Sequence, residues 1–452
     1  VEHLVGFGSG GGPSAPIMRG MNSTDRARME TMNRQRRHVL CCGAAVATGL
    51  FSALVAPSTA QAMLSNPCEE GGLPPTLREH PLVARVWDGL DPTQLWDVHA
   101  HLLGTGDAGS GCRIHEQMTQ WWHPLESLRR RVILDGACVP PEALSVDRAY
   151  VQRLVQLTQD FPAGARWLLL AFDEAWEDQS PQTHQSQRRP DWTTFHVPNT
   201  YAAEIAAHRP NRFGWVASIH PYREDALQRL DAAIGAGALA LKWLPSSMNI
   251  DLCAPRLRPF YARMAAARLP LIVHGGEEKA VPGASRAELG NPLLVREPLS
   301  HGVRVIVAHA ASLGSALDLD RQRPKVVPAF ELFARLMDES AWREHLLGDV
   351  SALFQVNRRP EVWQQVLARQ DWHGRLLHGS DYPLPGVGPL YRLGALVRAG
   401  LLEAADVPVL EQVRGHNPLL FDLLLKRRVR WRGQGLDPAV FATRRHFVAP
   451  TA

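Results

Sequence analysis

The chain has 452 residues, 45% of them hydrophobic and 21% charged, which is enough apolar side chain for a large core and too little charge for a mainly disordered protein. Its formal net charge of +4 is concentrated at the start: the first 62 residues hold six arginines against Glu2, Asp25 and Glu30, and the remainder carries 43 basic and 42 acidic side chains. So neutral a body gives no electrostatic basis for nucleic acid or an acidic membrane surface as partner.

The opening stretch reads as an address. Arg36-Arg37 precede His38-Val39-Leu40 and an apolar run to about Ala56, and Ala60-Gln61-Ala62 has the small-x-small form of a signal peptidase site. This order resembles a bacterial twin-arginine export signal and implies a periplasmic or secreted mature protein, with no stable membrane insertion once residues 1–62 are removed. The alternative is an uncleaved membrane anchor, because residues 39–56 approach the ~20 apolar residues a spanning helix needs, although Ala, Gly, Thr and Ser dilute the run. Cys41 and Cys42 fall in this leader. Cys68, Cys112, Cys138 and Cys253 are too widely spaced for a zinc knuckle. An oxidising compartment would permit a disulfide such as Cys112–Cys138, with three pairings open to the four cysteines.

Residues 63–94 read as an arm, 95–425 as the folded body and 426–452 as a basic tail whose arginines make a solvated face. From Leu95 onward, short runs of Val, Ile, Leu and Ala alternate with helical patterns, the mark of a parallel sheet of βα units. Strands are expected near Leu95–His99, Arg166–Phe172, Phe213–His220, Leu239–Leu244, Leu271–His274, Val303–His309, Leu346–Ser351 and Leu376–Asp381. Helices are expected at Ala143–Asp160, Arg223–Ile234, Pro259–Arg268, Pro328–Met337 and Pro360–Arg369, several opened by proline. Eight strands with helices between them predict a (β/α)8 TIM barrel, a fold of ~250 residues that tolerates insertions. The polar stretch Glu177–Pro198 reads as a simple connection, with a lid as the alternative.

Chemistry gathers at the strand ends. In Asp97-Val98-His99-Ala100-His101 the side chains alternate, so both histidines share a face, with Asp97 on the same side as buried support. Lys242 ends the fourth strand, His274 the fifth and His309 the sixth, and Asp381 follows the eighth in Leu377-His-Gly-Ser-Asp-Tyr-Pro. In a TIM barrel these ends open together onto the active site. One histidine there is ordinary packing; four, with a lysine and an aspartate in the same phase, point to a metal site. Trp243, Glu277, His220 and Tyr201 are candidate pocket residues, with Glu278 and Asn199 beside them.

Together the His99-Ala-His101 start, Asn211-Arg-Phe-Gly-Trp-Val-Ala-Ser-Ile-His-Pro221, the lysine strand, the two later histidine strands, Gly379-Ser-Asp-Tyr-Pro383 and Gly415-His-Asn-Pro-Leu-Leu-Phe421 resemble the amidohydrolase superfamily, in its amidohydrolase-related group. The resemblance implies that His99, His101, His274 and Asp381 bind one divalent metal. In binuclear members a carboxylated lysine bridges to a second ion, and Lys242 and His309 occupy the matching places. In a mononuclear member Lys242 would instead face a substrate anion, and His309 would polarise substrate; both readings stay open. Imidazole and carboxylate donors suit Zn²⁺, with Mn²⁺ or Fe²⁺ also feasible.

The expected activity is hydrolysis of an amide, lactone or ester bond in a small molecule by metal-activated water, with Asp381 and His309 as the catalytic groups. The alternatives are a metal-dependent decarboxylase and a non-catalytic periplasmic binding protein. Substrate identity and oligomeric state are not encoded in these motifs.

Overall fold

Eight parallel strands form where the apolar runs predict them: β1 (Trp96–His101), β2 (Arg166–Leu170), β3 (Phe213–Val216), β4 (Leu241–Trp243), β5 (Leu271–His274), β6 (Val305–Ala308), β7 (Leu346–Asp349) and β8 (Leu376–Leu377). The computed structural model describes residues 66–69, 71–180 and 185–448; the export signal, its cleavage site and the anchor alternative lie outside them. No helix of the described residues is long and apolar enough to cross a membrane.

Pairing runs β1-β2-β3 and β4-β5-β6-β7-β8. Two seams join these sheets into a closed barrel. At one, Ala217 bridges Leu241 in parallel, with Lys242 N–H donating to Ala217 O at 2.7 Å. At the other, Ala100 bridges Tyr382, and Val98 N–H donates to His378 O (3.1 Å) and Asp381 N–H to His99 O (2.7 Å). At these seams the outer strands of both sheets, β1, β3, β4 and β8, find backbone partners across the wall.

The interior is filled by Trp96, Val98, Leu168, Leu170, Val216, Ala240, Ile272, Ile306, Leu347 and Leu377, drawn from seven strands and from the residue just before β4. Side chains two residues further along a strand point the same way, so Lys242, His274 and Asp349 extend the inward rows of Ala240, Ile272 and Leu347 upward. β1 does not keep this parity. Asp97 pairs with Trp167 and Ala100 with Leu169, three steps against two, and this β-bulge turns His99 and His101 inward above Val98. Asp97 therefore does not share their face: its Oδ1 accepts from His99 N–H (3.0 Å) and Ser380 N–H (2.9 Å) within the wall.

Several expectations are corrected. The tail boundary at 425 cuts the Pro418–Arg428 helix, which is buried along most of its length because it packs against the Val407–His416 and Val146–Leu157 helices. Beyond it the chain returns to β1 and β8: Val440 O accepts from His378 N–H (2.8 Å) and Thr443 Oγ1 from Trp96 N–H (3.0 Å), so the backbone of this segment is packed structure, while Arg428, Arg430, Arg432 and Arg445 stay exposed as the solvated face expected. Glu177–Pro198 is not a plain connection, since Trp176–Ser180 and Gln185–Arg188 pair as an antiparallel hairpin. The disulfide joins Cys68 to Cys138, not Cys112 to Cys138, because the arm lies against the end of the Pro124–Gly136 helix; Cys112 is buried and free, and Cys253 exposed and free.

Candidate metal centre

A cavity of about 410 Å³ opens at the C-terminal end of the barrel. His99, His101, Lys242, His274, His309 and Asp381 all line it. Ligand atoms of His99, His309 and Asp381 lie within 4.8 Å of one another, and all three residues are buried. Asp381 Oδ1 is 2.9 Å from His101 Nε2 and 3.5 Å from His99 Nε2. The rings of His99 and His309 stack at 4.8 Å, and that of His274 meets His309 edge-on at 5.2 Å. Lys242 Nζ sits 3.4 Å from His99 Nε2.

Local backbone aims the last two ligands. His309, Ala310 and Ala311 follow β6 with φ of 55°, 50° and 48°, and Asp381 has φ 61°. Left-handed backbone costs a non-glycine residue about 1–2 kcal/mol. Such strain concentrates where surrounding structure holds a functional side chain in place.

One residue that the sequence reading missed organises the cluster. Asp349, fully buried at the end of β7, accepts from His99 Nδ1 at 2.9 Å through Oδ2, while Oδ1 accepts from the N–H groups of His309 (2.9 Å) and Ser351 (3.0 Å). The signal was an acid in an apolar strand, two residues beyond the inward Leu347. With Nδ1 of His99 donating to Asp349 and Nδ1 of His309 directed at Ser351 O (3.1 Å), each ring keeps Nε2 as its lone-pair nitrogen.

The electrostatics match a metal's needs. Burial pulls His99 down to about 4, with the Lys242 charge adding to it against Asp349, and burial likewise lowers His274 and carries His309 well below the usual imidazole value. These rings are neutral at pH 7. Burial alone would raise Asp381, but His309, the His101 hydrogen bond and His99 outweigh it and hold the carboxyl ionised. Neutral imidazoles and an ionised carboxylate are the forms that coordinate a divalent cation, so the donor set fits one. Burial draws Lys242 down to about 8 against the pull of Asp349, Asp381 and Glu278.

Of the proposed pocket residues, Glu277 and Glu278 line the cavity, and Glu278 Oε2 is 3.2 Å from His274 Nδ1. Trp243 does not: because Lys242 points inward, its neighbour points outward, where the indole donates to Ile219 O (2.7 Å) and packs near Phe260. His220 does not either, its Nε2 lying 2.8 Å from Met248 O and its Nδ1 accepting from Tyr222 N–H. Tyr201 packs against the core from the Asn199–His208 helix, and Asn199 itself is spent on Ser218. A second grouping, Asp173, Glu174 and His196, is taken up internally: Glu174 holds Arg113 and Arg188, and Asp173 accepts from His220 N–H.

Residues 96–421 match the amidohydrolase family model. The chain therefore belongs to the amidohydrolase family. No curated protein gives a significant sequence match. Solved structures with a similar course include an uncharacterised TIM-barrel protein from Bordetella bronchiseptica (14% identity, 73% of this chain and 99% of that one, TM-score 0.43). Others are 5-carboxyvanillate decarboxylase from Sphingomonas paucimobilis (11% identity, 71% and 95%, TM-score 0.40) and 4-oxalomesaconate hydratase from Rhodopseudomonas palustris (11% identity, 73% and 96%, TM-score 0.36). The family assignment stands on the sequence match.

Proposed function

We propose that this amidohydrolase-family chain is a metal-dependent hydrolase that cleaves an amide, lactone or ester bond of a small molecule. The observation that carries the reading is the convergence of His99, His309 and Asp381 at the floor of one cavity, with Asp349 fixing the tautomer of His99. His99, His101, His274, His309 and Asp381 would hold the ion or ions. A divalent metal, zinc by donor preference with manganese or iron as alternatives, supplies Lewis acidity and a water whose pKa is brought to about 7.

The chain's own groups do the rest. Asp381, kept ionised by the histidines around it, accepts a proton at its carboxylate as water attacks and returns it to the leaving group. Lys242, drawn to about 8 by burial, has a larger neutral fraction than a surface lysine, and the neutral amine is the form that reacts with carbon dioxide; this supports a carboxylated bridge to a second ion. Export to an oxidising compartment is part of the same proposal and is supported by the Cys68–Cys138 disulfide.

A decarboxylase is the second reading. It is favoured by one feature: Lys242 makes no ion pair with a carboxylate among the described residues and is available to a substrate carboxylate beside His99. The test is turnover of a panel of esters, lactones, amides and aromatic carboxylates in ¹⁸O-labelled water by the metal-loaded protein. Label in the product acid without carbon dioxide release supports hydrolysis; carbon dioxide release without label transfers the assignment to decarboxylation.

A further inference from the structure

Among the described residues, every carboxylate, lysine and arginine lining the cavity contacts an imidazole or an opposite charge except Arg358. Asp381 contacts His101 and His99, Glu278 contacts His274, Glu277 pairs with Lys279 (3.6 Å) and Arg129 with Glu126. Lys242 belongs to the metal centre. Arg358, in the loop after β7, lines the same cavity with only 7% of its surface exposed, and no carboxylate of the described residues forms an ion pair with it. Its Nε donates to Ser312 Oγ at 2.9 Å and its Nη1 to Asn357 Oδ1 at 2.7 Å. Those bonds fix the plane of the guanidinium and use two of its five N–H donors, leaving an Nη edge for a planar two-oxygen anion.

A buried guanidinium with no carboxylate in direct contact is costly, Asp381, Glu278 and Glu277 acting on it only from a distance, and ligand pockets place their few charged groups where ligand charge arrives. Most of the remaining wall is apolar, including Leu103, Leu128, Val132, Phe172, Leu313 and Leu390, with Gln355 and Asn357 as its polar members. We infer that Arg358 is a specificity-determining residue that binds a carboxylate of the substrate, so that the enzyme acts on small molecules pairing an apolar body with a carboxylate distinct from the bond being cleaved. This rests on the proposed hydrolysis for the cleaved bond, but the binding step stands apart from it.

The test titrates benzoate and its neutral isostere benzamide calorimetrically into the metal-loaded protein. Benzoate should bind the wild type, and at least tenfold more weakly to Arg358→Gln, with part of the affinity kept by Arg358→Lys and metal content equal in all three; benzamide should not discriminate among them. Benzoate affinity unchanged in Arg358→Gln but abolished by chelation would place the anion on the metal and overturn the inference. So would failure of the wild type to prefer benzoate over benzamide, a comparison that needs no variant to fold. Hydrolysis of neutral phenyl esters with no preference for carboxylated ones would overturn it while leaving hydrolysis standing. Arg358-dependent benzoate binding without any hydrolysis would do the reverse.

Discussion

Replacing Asp349 by Asn is the most informative single perturbation, because it keeps size and removes one charge at the hinge of the cluster. Asn can still accept from the backbone N–H groups of His309 and Ser351 through its oxygen, as Asp349 Oδ1 does. Its amide nitrogen then faces His99 Nδ1, where Oδ2 accepts at 2.9 Å. Two donors would meet there, so the ring must move its proton to Nε2, the nitrogen needed for the metal. Loss of such a supporting carboxylate typically weakens metal affinity about 10–100-fold, or about 1.4–2.7 kcal/mol. Competition against a chromophoric chelator at pH 7.5 measures this directly, with circular dichroism to check the fold. Affinity within threefold of wild type in a folded Asp349→Asn protein would refute the claim that Asp349 sets the tautomer of His99.

Asp381→Asn should lower turnover by orders of magnitude with the fold retained, read from kcat beside a thermal melt; near-normal kcat would remove Asp381 from the mechanism. Metal analysis after loading in bicarbonate should give about two ions per chain, falling to one or fewer in Lys242→Ala if the lysine bridges; one ion in both proteins would favour the mononuclear reading. Gly379→Ala would place a Cβ 2.7 Å from His99 Cβ, so it should destabilise by about 1–3 kcal/mol and weaken metal binding together; an unchanged melt would show that the loop yields freely. The metal-free protein should lose stability as pH falls from about 6.5 toward 4, because His99, lowered to about 4, and His309 and His274, lowered as well, contribute stability that is present above the unfolded imidazole pKa of about 6.5 and is lost as they charge. Chelated samples melted across that range would contradict this if the curve were flat.

The barrel was legible because each buried parallel strand is a short apolar run, and the polar residues at its end announce which end holds the chemistry. Where parity carries through, as for Lys242 and His274, position and direction were both readable. His99 and His101 reach the cavity through a bulge that the alternation does not encode, which is why Asp97 was assigned to the wrong face. His309 and Asp381 are aimed by left-handed backbone that no propensity of His or Asp foretells. Trp243, His220 and Tyr201 lie near strand ends, but nearness along the chain does not say which side of the wall a ring takes. Asp349 was missed because its parity with the inward Leu347 is its one mark in the sequence, and Arg358 because a loop arginine has no spacing to mark it.

The seam between β1 and β8 joins the two ends of the folded body, and His101 and Asp381 meet across it although 280 residues separate them in sequence. The floor beneath is sealed later still, by Val440 and Thr443. Order of assembly follows from this. A chain still being synthesised, or one shortened before residue 381, lacks the closing seam and the Asp381 ligand, so ion capture is a late event that reports completion of the barrel. The ion then locks together the first and last strands made, and its loss should loosen that seam before any other part of the wall.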